Sequence, residues 1–262
     1  MKERIERALV KLGLQKCAVF EYEITDSTNT RAKLFAKNRG AEEKSPAIFV
    51  ARGQYAGRGT RGRTFESPVG AGVYISVLVY EKILPSEAQR LTATAAVAIR
   101  RTVEALAPRD AARRVGIKWV NDLYFGNRKL AGILTEGEVT PEGELAYAII
   151  GVGLNVLSAP HSKEVDDIIA TLADLGVSAD PCDVCALAVC EIFKALCEPW
   201  EKIRAEYKAH SLLIGRDVRI NDGAADRVER VLDIDADCAL ITTGEDGRQR
   251  RYLSATVTPV YD

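Results

Sequence analysis

Three clusters of residues in this chain have the types and spacing that chemistry needs. The first lies in GQYAGRGTRGRTFESPVGAGVYIS, residues 53–76, where Arg58, Arg61 and Arg63 are interspersed with Gly57, Gly59 and Gly62 and no acid occurs before Glu66. Glycine lets backbone N–H groups approach a phosphate closely, and arginine supplies a permanent planar cation that grips oxyanions through two bonds. Such a segment serves either as an ordered loop around a small anion or as a disordered basic tract on nucleic acid. The apolar, β-branched runs AIFVAR (47–52) and GVYISVLVY (72–80) flank it and favour the ordered loop, because disordered tracts sit in polar, low-complexity surroundings. The chain also has no basic excess, with 36 Lys and Arg against 37 Asp and Glu in 262 residues, which argues against nucleic-acid coating as its main task. The loop is neither a P-loop nor a dinucleotide fingerprint. No Gly-Lys-Ser/Thr occurs, and the loop leads into a strand, not a helix.

The second cluster is KWVNDLYFGNRKLAGIL, residues 118–134, with Lys118, Asn121, Asp122 and Lys129 embedded in apolar sequence. One reading is a lysine aimed at a transferring phosphoryl group, with an amide or carboxylate helping to hold Mg²⁺. The other is a hairpin with ordinary solvated charges, for which the GNRK turn is sufficient. The third cluster is IIGVGLN, residues 149–155, in which Gly151 and Gly153 precede Asn155. Glycines inside a strand mark close backbone approach by a ligand or a bulge. No Ser–His–Asp or Cys–His arrangement is evident, since the only histidines, His161 and His210, stand outside all three clusters. Of six cysteines, Cys182, Cys185, Cys190 and Cys197 follow a helical face with Ala186, Leu187, Val189, Ile192 and Phe193. They are expected to be small buried hydrophobes, not a metal or redox site.

Positioning these clusters requires a mixed set of elements. An amphipathic helix opens the chain, with Ile5, Leu9 and Leu12 on one side, followed by a strand at 18–24. Asp26, Ser27 or Thr28 can cap a second helix carrying Ala32, Leu34 and Phe35. A long helix over 86–107 ends at Pro108. Strands then follow in quick succession at 115–120, 122–125, 130–137 and 144–156, with helices at 167–176 and 183–209, the latter kinked or divided by Pro199. Strands with few helices between them predict an α+β fold with a mixed, mostly antiparallel sheet flanked by helices. From Leu212 short strands alternate with NDG and EDG turns, the pattern of a small β-barrel. The expected division is a main domain over 1–211 and a small one over 212–262. No stretch approaches the ~20 apolar residues of a membrane span. The first residues lack the features of a secretory signal, so a cytoplasmic location is expected.

Taken in order, STN (27–29), GRGTRGRTFESP (57–68), KWVND (118–122), KLAGIL (129–134) and GVGLN (151–155) resemble the motifs of the biotin protein ligases. The resemblance is close over residues 20–157, and the terminal small barrel fits it too. It implies a class II synthetase-like biotin/lipoate ligase catalytic domain followed by an SH3-like barrel. It further implies ATP- and Mg²⁺-dependent activation of biotin to biotinyl-5′-AMP with release of pyrophosphate. Biotin then passes to one lysine of a biotin carboxyl carrier domain, and homodimers occur in the family. By the same resemblance Ser27, Thr28, Asn29 and Gln54 bind the ureido ring, and Gly57, Gly59, Thr60, Gly132, Gly151 and Gly153 line the biotin pocket. Arg58 and Lys129 hold the carboxylate end and the adenylate. Arg61, Arg63, Phe65 and Asn155 meet ATP. Lys118 is the principal charge stabiliser at the reacting phosphate, with Asn121 beside the nucleotide and Asn121 and Asp122 supporting Mg²⁺ or the acceptor lysine.

Three positions depart from the family pattern. Thr60 stands where a third loop arginine is frequent, so a leakier adenylate is expected. Phe65 replaces a frequent tryptophan, and Val120 replaces a proline. Only 26 residues precede Ser27, too few for the DNA-binding domain some members carry, and no DNA binding is expected. The nearest rival, a lipoate or octanoate ligase or transferase, calls for an Arg-Arg-x-Ser-Gly-Gly-Gly loop and a later His-Asp, which the chain lacks. A non-catalytic RNA-binding protein would need the basic stripe that is also missing.

Overall fold

The computed structural model describes residues 1–38, 44–80, 84–159 and 168–260; His161 and the first residue of the helix expected at 167–176 fall outside them. The glycine and β-branched content of residues 18–155 is laid out as a seven-stranded sheet. Its strands are β1 (Ala18–Thr25), β2 (Ala47–Gln54), β3 (Gly72–Val79), β4 (Val115–Lys118), β5 (Asp122–Phe125), β6 (Arg128–Val139) and β7 (Leu145–Asn155). The spatial order is β1-β2-β3-β7-β6-β5-β4, with β1–β2 parallel and every other pair antiparallel. The mixed, mostly antiparallel α+β sheet is thus as expected.

Period-two alternation gives this sheet two different faces. One carries Ile48, Val50, Val73, Ile75, Val77, Ile150 and Val152 into the main core against helix α3 (Ala88–Leu106), with helix α1 (Lys2–Lys11) contributing Ile5 and Leu9. The other face is only half covered. Helix α2 (Thr28–Asn38) sets Ala32, Phe35 and Ala36 on Phe49, Leu78 and Ile149, and Phe20 stacks on Phe49 at 4.9 Å between centroids. Beyond the start of α2 this face bears Ser76, Gly151, Gly153 and Gly132, and there it is left open.

Pro199 divides the expected long helix into α5 (Pro181–Leu196) and α6 (Trp200–Ala209), α4 being the single turn Arg109–Ala112. The helix expected at 167–176 is not formed over its described residues; only a 3₁₀ turn, Ala173–Leu175, is present, closed by Gly176 in the left-handed region. All six cysteines are free, and the helical placement is correct. Uniform burial is not. Cys182 and Cys185 are buried, Cys190 is half-buried, and Cys197 at the helix end is exposed.

Residues 217–259 build a five-stranded sheet of β8 (Asp217–Asn221), β9 (Asp226–Ile234), β10 (Leu240–Thr243), β11 (Gln249–Tyr252) and β12 (Thr256–Pro259), in the order β11-β10-β9-β8-β12. All its pairs are antiparallel. This antiparallel five-stranded unit stands where the small barrel was expected, and its end strands are not bonded to each other among the described residues. Two indoles fasten it to the rest: Trp119 Nε1 donates to the Cys238 carbonyl (2.7 Å) and Trp200 Nε1 to that of Ala236 (2.9 Å). No described helix is long and apolar enough to cross a membrane.

Behind the sheet, Arg101 of α3 bridges Glu198 (2.7 Å) and Glu206 (2.6 Å), tying α3 to the α5–α6 junction. Bonding to the Arg101 guanidinium lowers Glu198 from 4.5 to about 2. A depressed carboxylate contributes stability above its unfolded pKa and loses it as pH falls through the folded one. The unfolding midpoint should therefore drop between pH 4.5 and about 2. Arg101→Met should lower the midpoint at pH 7 and reduce that acid-side drop, which thermal unfolding across pH measures.

Candidate active site

The open half of the sheet face becomes a pocket because three of its side chains are missing. Gly151 and Gly153 lie two residues apart on β7, and Gly132 of β6 pairs with Gly153. A Cβ on Gly151 would lie 2.2 Å from Asn29 Oδ1, and one on Gly153 2.4 Å from the Phe65 ring. The bare backbone is thus what admits both side chains. These glycines mark close approach, not a bulge.

Over Gly151 runs a buried polar network. The Thr28 N–H donates to Gln54 Oε1 (2.8 Å), Gln54 Nε2 to Ser67 Oγ (2.9 Å), and Ser67 Oγ to the Phe65 carbonyl (3.0 Å). Ser76 Oγ bonds with Thr28 Oγ1 (2.7 Å) and Asn29 Oδ1 (2.5 Å). Asn29 Nδ2 donates to Glu136 Oε2 (2.9 Å) and the Leu134 carbonyl (3.3 Å). Ser27, Thr28 and Asn29 are almost wholly buried, and Ser27 N–H is held by Asp26 Oδ1 (2.7 Å) at the start of α2. Buried polar groups so completely paired form a rigid, oriented wall.

The arginine–glycine loop folds over this wall as an ordered hairpin. Gln54 bridges to Ser67 and Arg58 to Thr64, with Gly59 N–H on the Arg63 carbonyl (2.7 Å) and Phe65 N–H on that of Gly57 (2.9 Å). Gly57 permits the crossing, since a Cβ there would lie 2.2 Å from the Phe65 carbonyl. Arg58, Gly59, Thr60 and Arg63 line the pocket. Phe65 lies inside it, its ring on Gly153, near Gly132, and 5.9 Å from Lys129 Nζ. Arg61 is turned away. It takes φ 58° and ψ 36°, and its guanidinium bonds Thr256 Oγ1 and Ser254 Oγ (3.1 Å) of the C-terminal sheet.

At the other end Lys129 folds over Gly132 to pair with Asp122 Oδ1 at 2.7 Å. That oxygen is buried and receives no aligned hydrogen bond, so the contact is one of charge alone. Lys118 stands opposite Asp122 in the β4–β5 register, its Nζ 5.2 Å from the Tyr124 ring. Burial pushes its pKa below the ordinary lysine value; Asp122 opposes this, while the Lys129 and Arg63 charges add to it. Asn121 Nδ2 donates to the Ile133 carbonyl (2.9 Å), and the Trp119–Val120 peptide before it is cis. No group of three or more His, Cys, Asp or Glu able to hold a metal occurs among the described residues. Asp122 is the one carboxylate among the described lining residues, a donor of the kind Mg²⁺ takes together with substrate phosphates.

The structure therefore gathers most of the expected residues around one cavity: Ser27, Thr28, Asn29 and Gln54, Arg58, Gly59, Thr60, Arg63 and Phe65 of the loop, Asn121, Asp122 and Lys129, and the three glycines Gly132, Gly151 and Gly153. Gly57 and Lys118 are not among its lining residues. Arg61 does not reach it. Nor does Asn155, which is buried with Nδ2 on the carbonyls of Ala170 (3.2 Å) and Lys129 (3.3 Å). Sequence reasoning missed Ser76 and Glu136, although Ser76 is the single polar residue in GVYISVLV and Glu136 follows Gly132 and Leu134 on one strand face. Thr64, Ile133, Leu134 and Val152 complete the lining and carried no distinguishing signal.

Residues 21–155, which hold all of this pocket, match the biotin/lipoate A/B protein ligase family. The chain is 33% identical over 218 residues to a biotin–[acetyl-CoA-carboxylase] ligase of Mycobacterium tuberculosis, covering 81% of this chain and 79% of that one. It is 33% identical over 174 residues to the bifunctional ligase/repressor BirA of Escherichia coli, covering 66% of this chain but only 51% of that protein. Among solved structures, the Aquifex aeolicus biotin protein ligase in complex with biotin and ATP superposes with a TM-score of 0.73 at 22% identity, over 93% of this chain and 99% of that one. The family match spans just over half of the chain and the Mycobacterium tuberculosis relative most of it, and the chain belongs to the biotin/lipoate A/B protein ligase family.

Proposed function

We propose that this chain is a biotin protein ligase, joining biotin to a lysine of a biotin carboxyl carrier domain at the expense of ATP. The observation that carries the reading is the polarity of the cavity. A hydrogen-bonding floor suited to a cyclic urea is joined in one cavity by three lining cations, Arg58, Arg63 and Lys129, suited to a carboxylate and phosphates. Ser27, Thr28, Asn29 and Gln54 take the ureido ring on the floor of Gly151, with Phe65 over Gly153 and Gly132 as its neighbour. Arg58 and Lys129 hold the carboxylate beside the α-phosphate, and Arg63 the departing phosphates.

The biotin carboxylate oxygen attacks the α-phosphorus and pyrophosphate leaves. The acceptor amine then attacks the acyl carbon of biotinyl-5′-AMP, and AMP leaves as the amide forms. No side chain needs to act as nucleophile, so the protein contributes position and charge. Lys118, the register partner of Asp122, sets its positive charge against the reacting phosphate. Asn121 and Asp122 would hold Mg²⁺, which neutralises phosphate charge when bound. Asn155 acts indirectly, by fastening the Lys129 backbone. The same reading takes 1–211 as the catalytic unit and 212–262 as its partner, places the protein in the cytoplasm, and allows a homodimer through a sheet edge. Residues 210–212 hydrogen-bond to β4 at Ile117, which leaves β1 as the edge for such pairing.

Biotin-dependent exchange of pyrophosphate into ATP tests the assignment: exchange is expected with biotin, while exchange with lipoate instead, or with neither, overturns it. Lys118→Gln should lower kcat/KM by about 10²–10³, the usual cost of removing one preorganised charge-stabilising donor. Lys118 must be protonated to act and its pKa is depressed. The alkaline limb of kcat/KM should therefore fall below 10.5, the ordinary lysine value, and Lys118→Arg should move it upward. In rapid dilution of the preformed adenylate, Thr60→Arg should slow escape of biotinyl-5′-AMP, and an unchanged rate would count against a leak at that position.

A further inference from the structure

Glu136 touches the two halves of the site at once. Its Oε1 lies 3.0 Å from Arg58 Nη2 and its Oε2 accepts from Asn29 Nδ2 at 2.9 Å. It projects from β6 on the face shared with Gly132 and Leu134, and its side chain is 22% exposed. It is not part of the pocket wall, whereas Arg58, on the arginine–glycine loop, and Asn29, on the floor, both are. We propose that Glu136 is a positioning residue, which fixes the hydrogen-bonding polarity of the floor and parks the first loop arginine before any ligand enters. The proposal rests on the functional reading above.

The amide of Asn29 has two possible orientations, and its surroundings allow one. Nδ2 faces two acceptors, the Glu136 carboxylate and the Leu134 carbonyl, while Oδ1 faces the Ser76 hydroxyl over Gly151. Turning the amide over would set its oxygen against a carboxylate and a carbonyl, an arrangement without a proton to share. Oδ1 can accept two hydrogen bonds and Ser76 supplies one. The floor therefore presents an acceptor, which suits the N–H donor of a cyclic urea. Arg58 is about half exposed, so the glycines around it leave its position to its partner. The Glu136 carboxylate stands in for the anion of the ligand, holding the guanidinium beside the cavity mouth.

The two arms separate experimentally. Glu136→Gln keeps an acceptor for Asn29 and removes the negative charge from Arg58; Glu136→Met removes both. Isothermal titration of the full chain with biotin alone should give a Kd for the Gln variant within about threefold of wild type. For the Met variant it should be weakened about tenfold or more, as loss of a charged hydrogen bond implies. Both variants should release biotinyl-5′-AMP several-fold faster, with the KM for ATP unchanged. A Met variant that binds biotin within twofold of wild type overturns the proposal. So does an equal loss in both variants that tracks a fallen unfolding midpoint. Wild-type protein that binds no biotin overturns the functional reading itself.

Discussion

Everything at the pocket depends on side chains that are absent from alternate positions of one strand. β7 is buried along nearly its whole length, and at Gly151 and Gly153 it offers backbone where a branched residue would otherwise fill the space. Asn29 occupies the first gap and Phe65 the second. Because paired residues of neighbouring strands share a face, Ser76 beside Gly151 and Gly132 beside Gly153 extend the same bare floor across three strands. Either glycine replaced by a branched residue would push out the side chain that now lies on it. The network of Thr28, Asn29, Gln54, Ser67 and Ser76 would lose its central member at Gly151.

The charges are arranged around that floor without being neutralised by it. Asp122 meets Lys129 directly and faces Lys118 across the register, so a single carboxylate serves two ammonium groups. Arg63 has no acidic partner within ion-pair distance among the described residues. The surplus of positive charge is kept partly out of water, which is why Lys118 holds its proton less firmly than an ordinary lysine. An anion entering such a site gains more than it would from the same cations in bulk solvent, because the effective dielectric is lower. Leaving one lysine partly desolvated has a cost in the ligand-free protein, which a bound anion would offset.

The α+β class, the seven strands and nearly all of the pocket were legible because they rest on local patterns. The flanking β-branched runs marked the loop as ordered, and the glycine spacing in GVGLN marked one sheet face. What stayed hidden rests on partners distant in sequence. Nothing near Arg61 distinguishes it from Arg63; only the left-handed backbone at Arg61 and the hydroxyls of Ser254 and Thr256, almost two hundred residues on, send it outward. Asn155 ends a glycine motif and looks like a ligand contact, yet two backbone carbonyls claim its amide. Glu136 reads as one more strand acid until Arg58 and Asn29 are brought to it. The segment 168–176 is helical in pattern, but its backbone is spent elsewhere. Lys129 N–H bonds the Ile168 carbonyl, Ala170 N–H that of Lys129, and Leu172 N–H that of Asn155.

Arg61 also changes what the C-terminal sheet is for. A loop with three glycines in seven residues has much conformational entropy to lose when it orders around an anion. Here part of that entropy is already removed, because the loop is closed at its base by Gln54 and Ser67 and held near its tip by Ser254 and Thr256. The same stretch of the small sheet is tied to the main body once more, where Gln89 Nε2 donates to the Leu253 carbonyl. The second attachment matters because a tether restrains a loop only as well as the tether is itself restrained. Preordering of this kind raises affinity by lowering the entropy lost on binding rather than by adding a contact. The small sheet thus restrains the loop without supplying a side chain to the pocket lining, and one loop arginine is turned out of the pocket in making the attachment.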